Sequence, residues 1–152
     1  MGRLKPILLW AGLVLILDQA SKTYLIARIP LNTGFSVTSF LNLVHVRNSG
    51  AAFGLMSEIG NRYLMLGLTL AALAAIVVFI FRSRSQSGWT GLGLGLTMGG
   101  ALGNLADRIR LGMVTDFLDF HIAGYHWPTF NLADSALTCG FILLGLIIFR
   151  RT

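Results

Sequence analysis

Charge is what this sequence has least of. Only 12% of its 152 residues are Asp, Glu, Lys or Arg and 55% are hydrophobic, with a mean hydropathy of +0.73, whereas a soluble domain carries about 25% charged residues. An ordinary soluble class is excluded. Carboxylates are the scarcest, six against twelve Lys and Arg, for a net charge of +6. Those basic residues lie thinly between apolar runs and form no stripe, so no nucleic-acid partner is expected; basic flanks of membrane helices account for the charge. The single cysteine, Cys139, rules out an internal disulfide and a CxxC metal site, and in its apolar run it reads as a small buried core residue. The three histidines, His45, His121 and His126, lack metal-ligand spacing and read as surface or interfacial, while HExxH and GxSxG are both missing. No metal and no cofactor is expected. With no Pro/Ser-rich or charged linker, residues 1–152 read as a single domain.

What is present is a set of apolar runs. Four are long enough for the roughly 20 helical residues that span a bilayer: 4–25, 62–81, 89–106 and 133–149. The basic start and apolar run of the amino terminus also fit a secretory signal, but no small-x-small cleavage site follows and the run continues into Asp18 and Lys22, so a retained first helix is expected. Between the second and third spans only a short turn remains, so these two form a hairpin. The longer connections, about 26–61 and 107–132, both fall on the other side. The expected class is an all-α membrane protein of four transmembrane helices, with a small extracytoplasmic β-sheet near Phe35 to Arg47, where β-branched residues partly alternate. Glycines Gly91, Gly95, Gly99 and Gly103 fall on one face of the third helix, smooth enough for close approach of a neighbouring helix.

Lys and Arg divide evenly between the two sides. Arg3, Lys5, Arg82, Arg84, Arg150 and Arg151, however, crowd into short segments without acid, while all six carboxylates lie opposite. Both termini are therefore placed in the cytoplasm.

Ionisable groups in membrane helices cost several kcal/mol unless paired or hydrated, which makes each a functional candidate. Asp18 and Lys22 have the favoured i, i+4 order of an ion pair, and could simply neutralise each other at the interface. Asp107 and Arg108, adjacent at a helix end, point about 100° apart and need not pair; they are either interfacial anchors or holders of something else. Asp134 in the first turn of the fourth helix suits the helix dipole, which leaves Asp116 unexplained. Two carboxylates brought together share one proton, one serving as acid and the other as base, an arrangement suited to activating water against a peptide carbonyl.

Taken in order, Asp18-x-x-x-Lys22, Asn48-x-Gly-Ala-Ala-Phe-Gly54, Gly99-Gly-Ala-x-Gly-Asn104-x-x-Asp-Arg108, Val114-x-Asp116-Phe and Phe130-Asn131-x-Ala-Asp134 resemble bacterial lipoprotein signal peptidase, signal peptidase II. The resemblance implies a membrane aspartic endopeptidase that removes signal peptides from diacylglyceryl-modified prolipoproteins, cutting before the lipidated cysteine. It further implies Asp116 and Asp134 as catalytic dyad, with Asn48, Asn104, Arg108, Asn131, Asp18 and Lys22 around them, and a sheet that cradles the substrate. The implied setting is the bacterial cytoplasmic (inner) membrane, multi-pass, with the active site near the outer face, membrane phospholipid around a monomer and prolipoprotein as partner. Thr115 departs from the family, which usually has an aliphatic residue there. Two other functions are compatible with such a chain: a proton-coupled transporter, which predicts acids near the bilayer midplane, and a non-catalytic scaffold built on the glycines.

Overall fold

The computed structural model describes residues 4–50, 58–82 and 88–150, and side chains throughout these except at 58–61. The Ala-Ala-Phe-Gly part of the Asn48 motif, the turn before Gly88, the Glu58 side chain and both extreme termini lie outside the described residues. The order is α1 (Leu4–Ile26), β1 (Gly34–Thr38), β2 (Leu41–Asn48), α2 (Glu58–Arg82), α3 (Gly88–Leu111), β3 (Val114–Ile122), β4 (Tyr125–His126) and α4 (Leu132–Phe149).

Leu4–Ile26, Arg62–Arg82 and Leu132–Phe149 are each long and apolar enough to cross a membrane. At 24 residues, or about 36 Å, α3 has the length but a lower hydropathy, because much of it is glycine. Those glycines explain its position: α3 packs against α1, α2 and α4. A β-carbon at Gly95 would lie 2.9 Å from the Ile7 carbonyl oxygen, at Gly99 2.7 Å from that of Ala11, and at Gly103 2.6 Å from Asp18 Oδ2, while one at Gly91 would meet Pro6. The expected smooth face therefore receives α1 of the same chain. A second face, with Gly93 and Gly100, lies against Leu144, Ala133 and Leu137 of α4. Gly99→Ala should destabilise the protein by about 1–3 kcal/mol through overpacking, despite alanine's better helix propensity. Gly67→Ala on α2, where a β-carbon would meet nothing within 4 Å, should instead stabilise by up to about 1 kcal/mol. Unfolding in detergent micelles measures both, and equal signs would contradict this packing.

Facing α3, α4 buries only Ala133, Ala136 and Gly140. Cys139 lies off that narrow stripe and is exposed, correcting the expectation of a buried core cysteine. His45 is the opposite correction: it is buried, its Nδ1 2.8 Å from the carbonyl oxygen of Ile29.

The sheet is larger than the sequence suggests. β1 and β2 lie where expected, but the second connection adds β3 and β4, giving antiparallel order β1-β2-β3-β4. Gly112, at φ +76°, follows the last turn of α3 and donates to the Arg108 carbonyl at 3.1 Å, a left-handed helix terminus that turns the chain directly into β3. Leu25, Ile29 and Phe117 form a small core joining the end of α1 to the sheet.

Candidate active site

Asn131 organises the site. It is the N-cap of α4 and completely buried. Its Oδ1 accepts the Asp134 backbone N–H at 3.0 Å, and its own backbone N–H donates to Asp134 Oδ2 at 3.2 Å, a capping box with Asp at the third position. Because Oδ1 is turned to an N–H, Nδ2 must face the other way. There it meets three acceptors: Asp116 Oδ1 at 2.8 Å, and Asn104 Oδ1 and the Thr115 carbonyl, each at 3.2 Å. One asparagine thus holds both carboxylates, Asp116 by its side chain and Asp134 by its backbone.

Two more asparagines complete the cradle. Asn48 Nδ2 donates to Asp116 Oδ2 at 3.0 Å, and Asn104 Nδ2 donates to Asp134 Oδ1 at 2.7 Å. All four carboxylate oxygens are engaged by N–H donors, and neither acid has a cation within ion-pair distance in the described structure. Burial pushes the Asp116 carboxyl up to about 6; its amide hydrogen bonds and the Lys22 charge oppose that rise, and the nearby Asp134 charge adds to it. Asp116 is 1% exposed. Asp134, half-buried, opens onto a groove of about 850 Å³ between α2, α3 and α4, which is mostly apolar and whose charged and amide side chains, Asn104, Arg108 and Asp134, gather at one end. Arg108 Nη1 donates to the Asn104 carbonyl at 3.3 Å, so its guanidinium sits at the polar end of the groove.

A profile of the family described as signal peptidase (SPase) II matches residues 10–150. The chain belongs to that family. It is 41% identical over 146 residues to the lipoprotein signal peptidase of Aeromonas hydrophila subsp. hydrophila, covering 93% of this chain and 87% of that one. The Syntrophus aciditrophicus enzyme of the same name is 42% identical, over 97% and 96% of the two chains. A bacterial membrane enzyme solved by the in meso method at 1.9 Å superposes with a TM-score of 0.85 at 38% identity, covering 96% of this chain and 94% of that chain. As a signal peptidase II, the chain is a membrane peptidase, a hydrolase.

Beneath the cradle of this signal peptidase lies a second polar layer. Lys22 Nζ sits 2.8 Å from Asp18 Oδ2, 3.0 Å from Asp107 Oδ2 and 3.4 Å from Asn104 Oδ1. Asp18, Lys22 and Asp107 are all buried, at 0%, 2% and 3% exposure, so the expected Asp18–Lys22 ion pair forms and Asp107 extends it into a buried cluster. Each acid also holds backbone: Asp18 Oδ1 accepts the Ala133 N–H of α4 at 3.0 Å, and Asp107 Oδ2 accepts the Thr115 N–H of β3 at 3.0 Å. One buried cluster thereby fixes the two segments that carry Asp116 and Asp134. Of the expected site residues, Asp116, Asp134, Asn48, Asn104, Asn131 and Arg108 come together, and Asp18 and Lys22 support them from one layer away. Gln19 was missed: its Nε2 donates to Asp18 and to Asp107 Oδ1 at 3.0 Å. The available signal was a polar side chain inside an apolar run. Asp107 is not a bare interfacial anchor: it holds Lys22 and the backbone of β3. Among the described residues, no group of three or more His, Cys, Asp or Glu could hold a metal ion.

Proposed function

We propose that this chain removes signal peptides from diacylglyceryl-modified prolipoproteins, cutting on the N-terminal side of the lipidated cysteine, with Asp116 and Asp134 as its aspartic dyad. The observation that carries this reading is the single asparagine, Asn131, holding both carboxylates at the polar end of an apolar groove. Water held between the acids loses a proton to Asp134 as it attacks the scissile carbonyl, and Asp116 donates its proton to the carbonyl oxygen. The resulting diol-like intermediate collapses with cleavage of the C–N bond as Asp134 gives its proton to the leaving amine and Asp116 takes one back from a diol hydroxyl. Asn48 keeps Asp116 oriented, Asn104 does the same for Asp134, and Arg108 steadies the substrate backbone at the groove's end.

The groove suits the hydrophobic stretch of a signal peptide, presenting the bond that follows it to the acids. In this reading α3 is the fourth spanning helix, shielded from lipid by its neighbours. The chain acts as a single-domain monomer in the bacterial cytoplasmic membrane, with both termini inside and the sheet at the outer face. Proton-coupled transport is not favoured: the lower acids Asp18 and Asp107 are closed around Lys22, and the dyad lies where helices meet sheet.

Purified protein in phospholipid nanodiscs tests the reading with two substrates, a prolipoprotein carrying the diacylglyceryl-modified cysteine and the same chain unmodified. Cleavage of the first before the cysteine, at least about 10²-fold faster than the second, is expected if acyl-chain anchoring positions the bond. Equal rates on both would refute lipid-dependent recognition.

A further inference from the structure

The β3–β4 hairpin carries an apolar surface that the proposed chemistry does not use. Its two-residue turn, Ala123 at φ +50° and Gly124 at φ +84°, has the two positive φ values of a tight hairpin. That turn sets Ile122 opposite Tyr125 and His121 opposite His126, and the Trp127 N–H donates to the Phe120 carbonyl at 2.8 Å. Side chains alternate along strands, so Phe120, Ile122, Tyr125 and Trp127 share one face. Asp119, His121 and His126 share the other, where His126 Nδ1 meets Asp119 Oδ1 at 2.8 Å.

The apolar face is open. Ile122, Tyr125 and Trp127 are 78%, 84% and 70% exposed, and together with three phenylalanine rings and the two histidines of the other face they border a hollow of about 530 Å³. Its place is fixed by contact. Phe120 stacks on Phe130 at a centroid separation of 5.8 Å, and Phe130 immediately precedes the N-cap of α4. The base of the patch is therefore anchored beside the end of a helix long and apolar enough to cross a membrane. At the corresponding end of α1, the Arg28 guanidinium covers the exposed Tyr24 ring at 3.6 Å, a pairing of aromatic and basic side chains suited to a headgroup layer.

We propose that the apolar face of the β3–β4 hairpin is seated in the headgroup layer of the adjoining bilayer leaflet. Trp and Tyr, apolar with a polar edge, concentrate at that depth, whereas so large an apolar patch facing water would promote association. Asp116 lies on the same face of β3, six residues before Ile122, or about 20 Å along the strand. Seating the hairpin thus holds the Asp116 end of the sheet at a fixed height above the hydrocarbon.

Trp10, Trp89 and Trp127 are the chain's three tryptophans, so Trp10→Phe/Trp89→Phe leaves Trp127 as sole reporter. This variant goes into phosphatidylcholine and phosphatidylglycerol vesicles whose lipids are brominated either near the headgroup or near the chain end. Expected is roughly twofold or greater quenching by the shallow bromines and little by the deep ones, as for a group some 5–10 Å into the interface. Quenching by aqueous iodide with none by bromolipid would overturn the proposal. Protection from both quenchers, pointing to a second copy on the patch, would also overturn it, as would protection gained only on adding prolipoprotein. A nitroxide at Tyr125→Cys in a Cys139→Ser background gives an independent depth by collision with oxygen and aqueous nickel, and the same interfacial position is required of it.

Discussion

Asp116→Asn and Asp134→Asn should each abolish cleavage, by at least about 10⁴-fold, with the double variant no worse than either single one. The reasoning is that neither acid works alone: if one cannot give a proton, the water activated by the other has no electrophile to attack. Additive losses would mean independent roles and would remove the dyad. The same substitution at Asp116 reports on folding. A carboxyl whose folded pKa is raised, here from 3.8 to about 6, contributes most stability below its unfolded pKa and loses that contribution as pH rises through about 6. Between pH 5 and 8 the wild type should therefore lose roughly 1 kcal/mol relative to Asp116→Asn, because asparagine carries no charge to bury. Paired unfolding measurements at the two pH values would show it, and a gain for the wild type would contradict the buried setting of Asp116.

The parts legible in the sequence were those specified locally. Hydropathy marked α2 and α4 clearly and α1 and the glycine-rich α3 less so, and glycine spacing found the face on which α3 receives α1. The sequence suggests an end to the third span at Ala106, because Asp107, Arg108 and Arg110 look like a membrane edge. The helix runs on to Leu111, since Asp107 finds its cation on another helix. β3 was not expected because Val114 to Ile122 has no two-residue alternation: Asp116 interrupts the apolar face and Phe117 the polar one. Both exceptions have a purpose, Asp116 in the site and Phe117 in the core with Leu25 and Ile29. Asn131 and Asp134 were visible as a helix start, but that the same asparagine reaches Asp116 depends on β3 lying beside α4, a long-range pairing recorded in the Leu118–Phe130 bridge.

Lys22→Met should be the most destabilising single substitution in the polar layer. It leaves the Asp18 and Asp107 carboxylates buried side by side without their cation, and breaking a buried charge cluster in this way costs about 3–5 kcal/mol. The loss should be partly reversed in Lys22→Met/Asp107→Asn, which removes one of the two stranded charges and keeps an oxygen to accept the Thr115 N–H, giving a coupling energy of about 0.5–3 kcal/mol. Activity should follow a different course. Lys22 also donates to Asn104 Oδ1 at 3.4 Å, beside the Asn131 amide at 3.2 Å, and the two donors together turn the Asn104 amide so that Nδ2 meets Asp134; the double variant regains stability with one of those donors gone and should remain slower than the wild type. Restored turnover together with restored stability would show that Lys22 merely balances charge, whereas stability recovered without turnover would place it among the residues that aim the dyad.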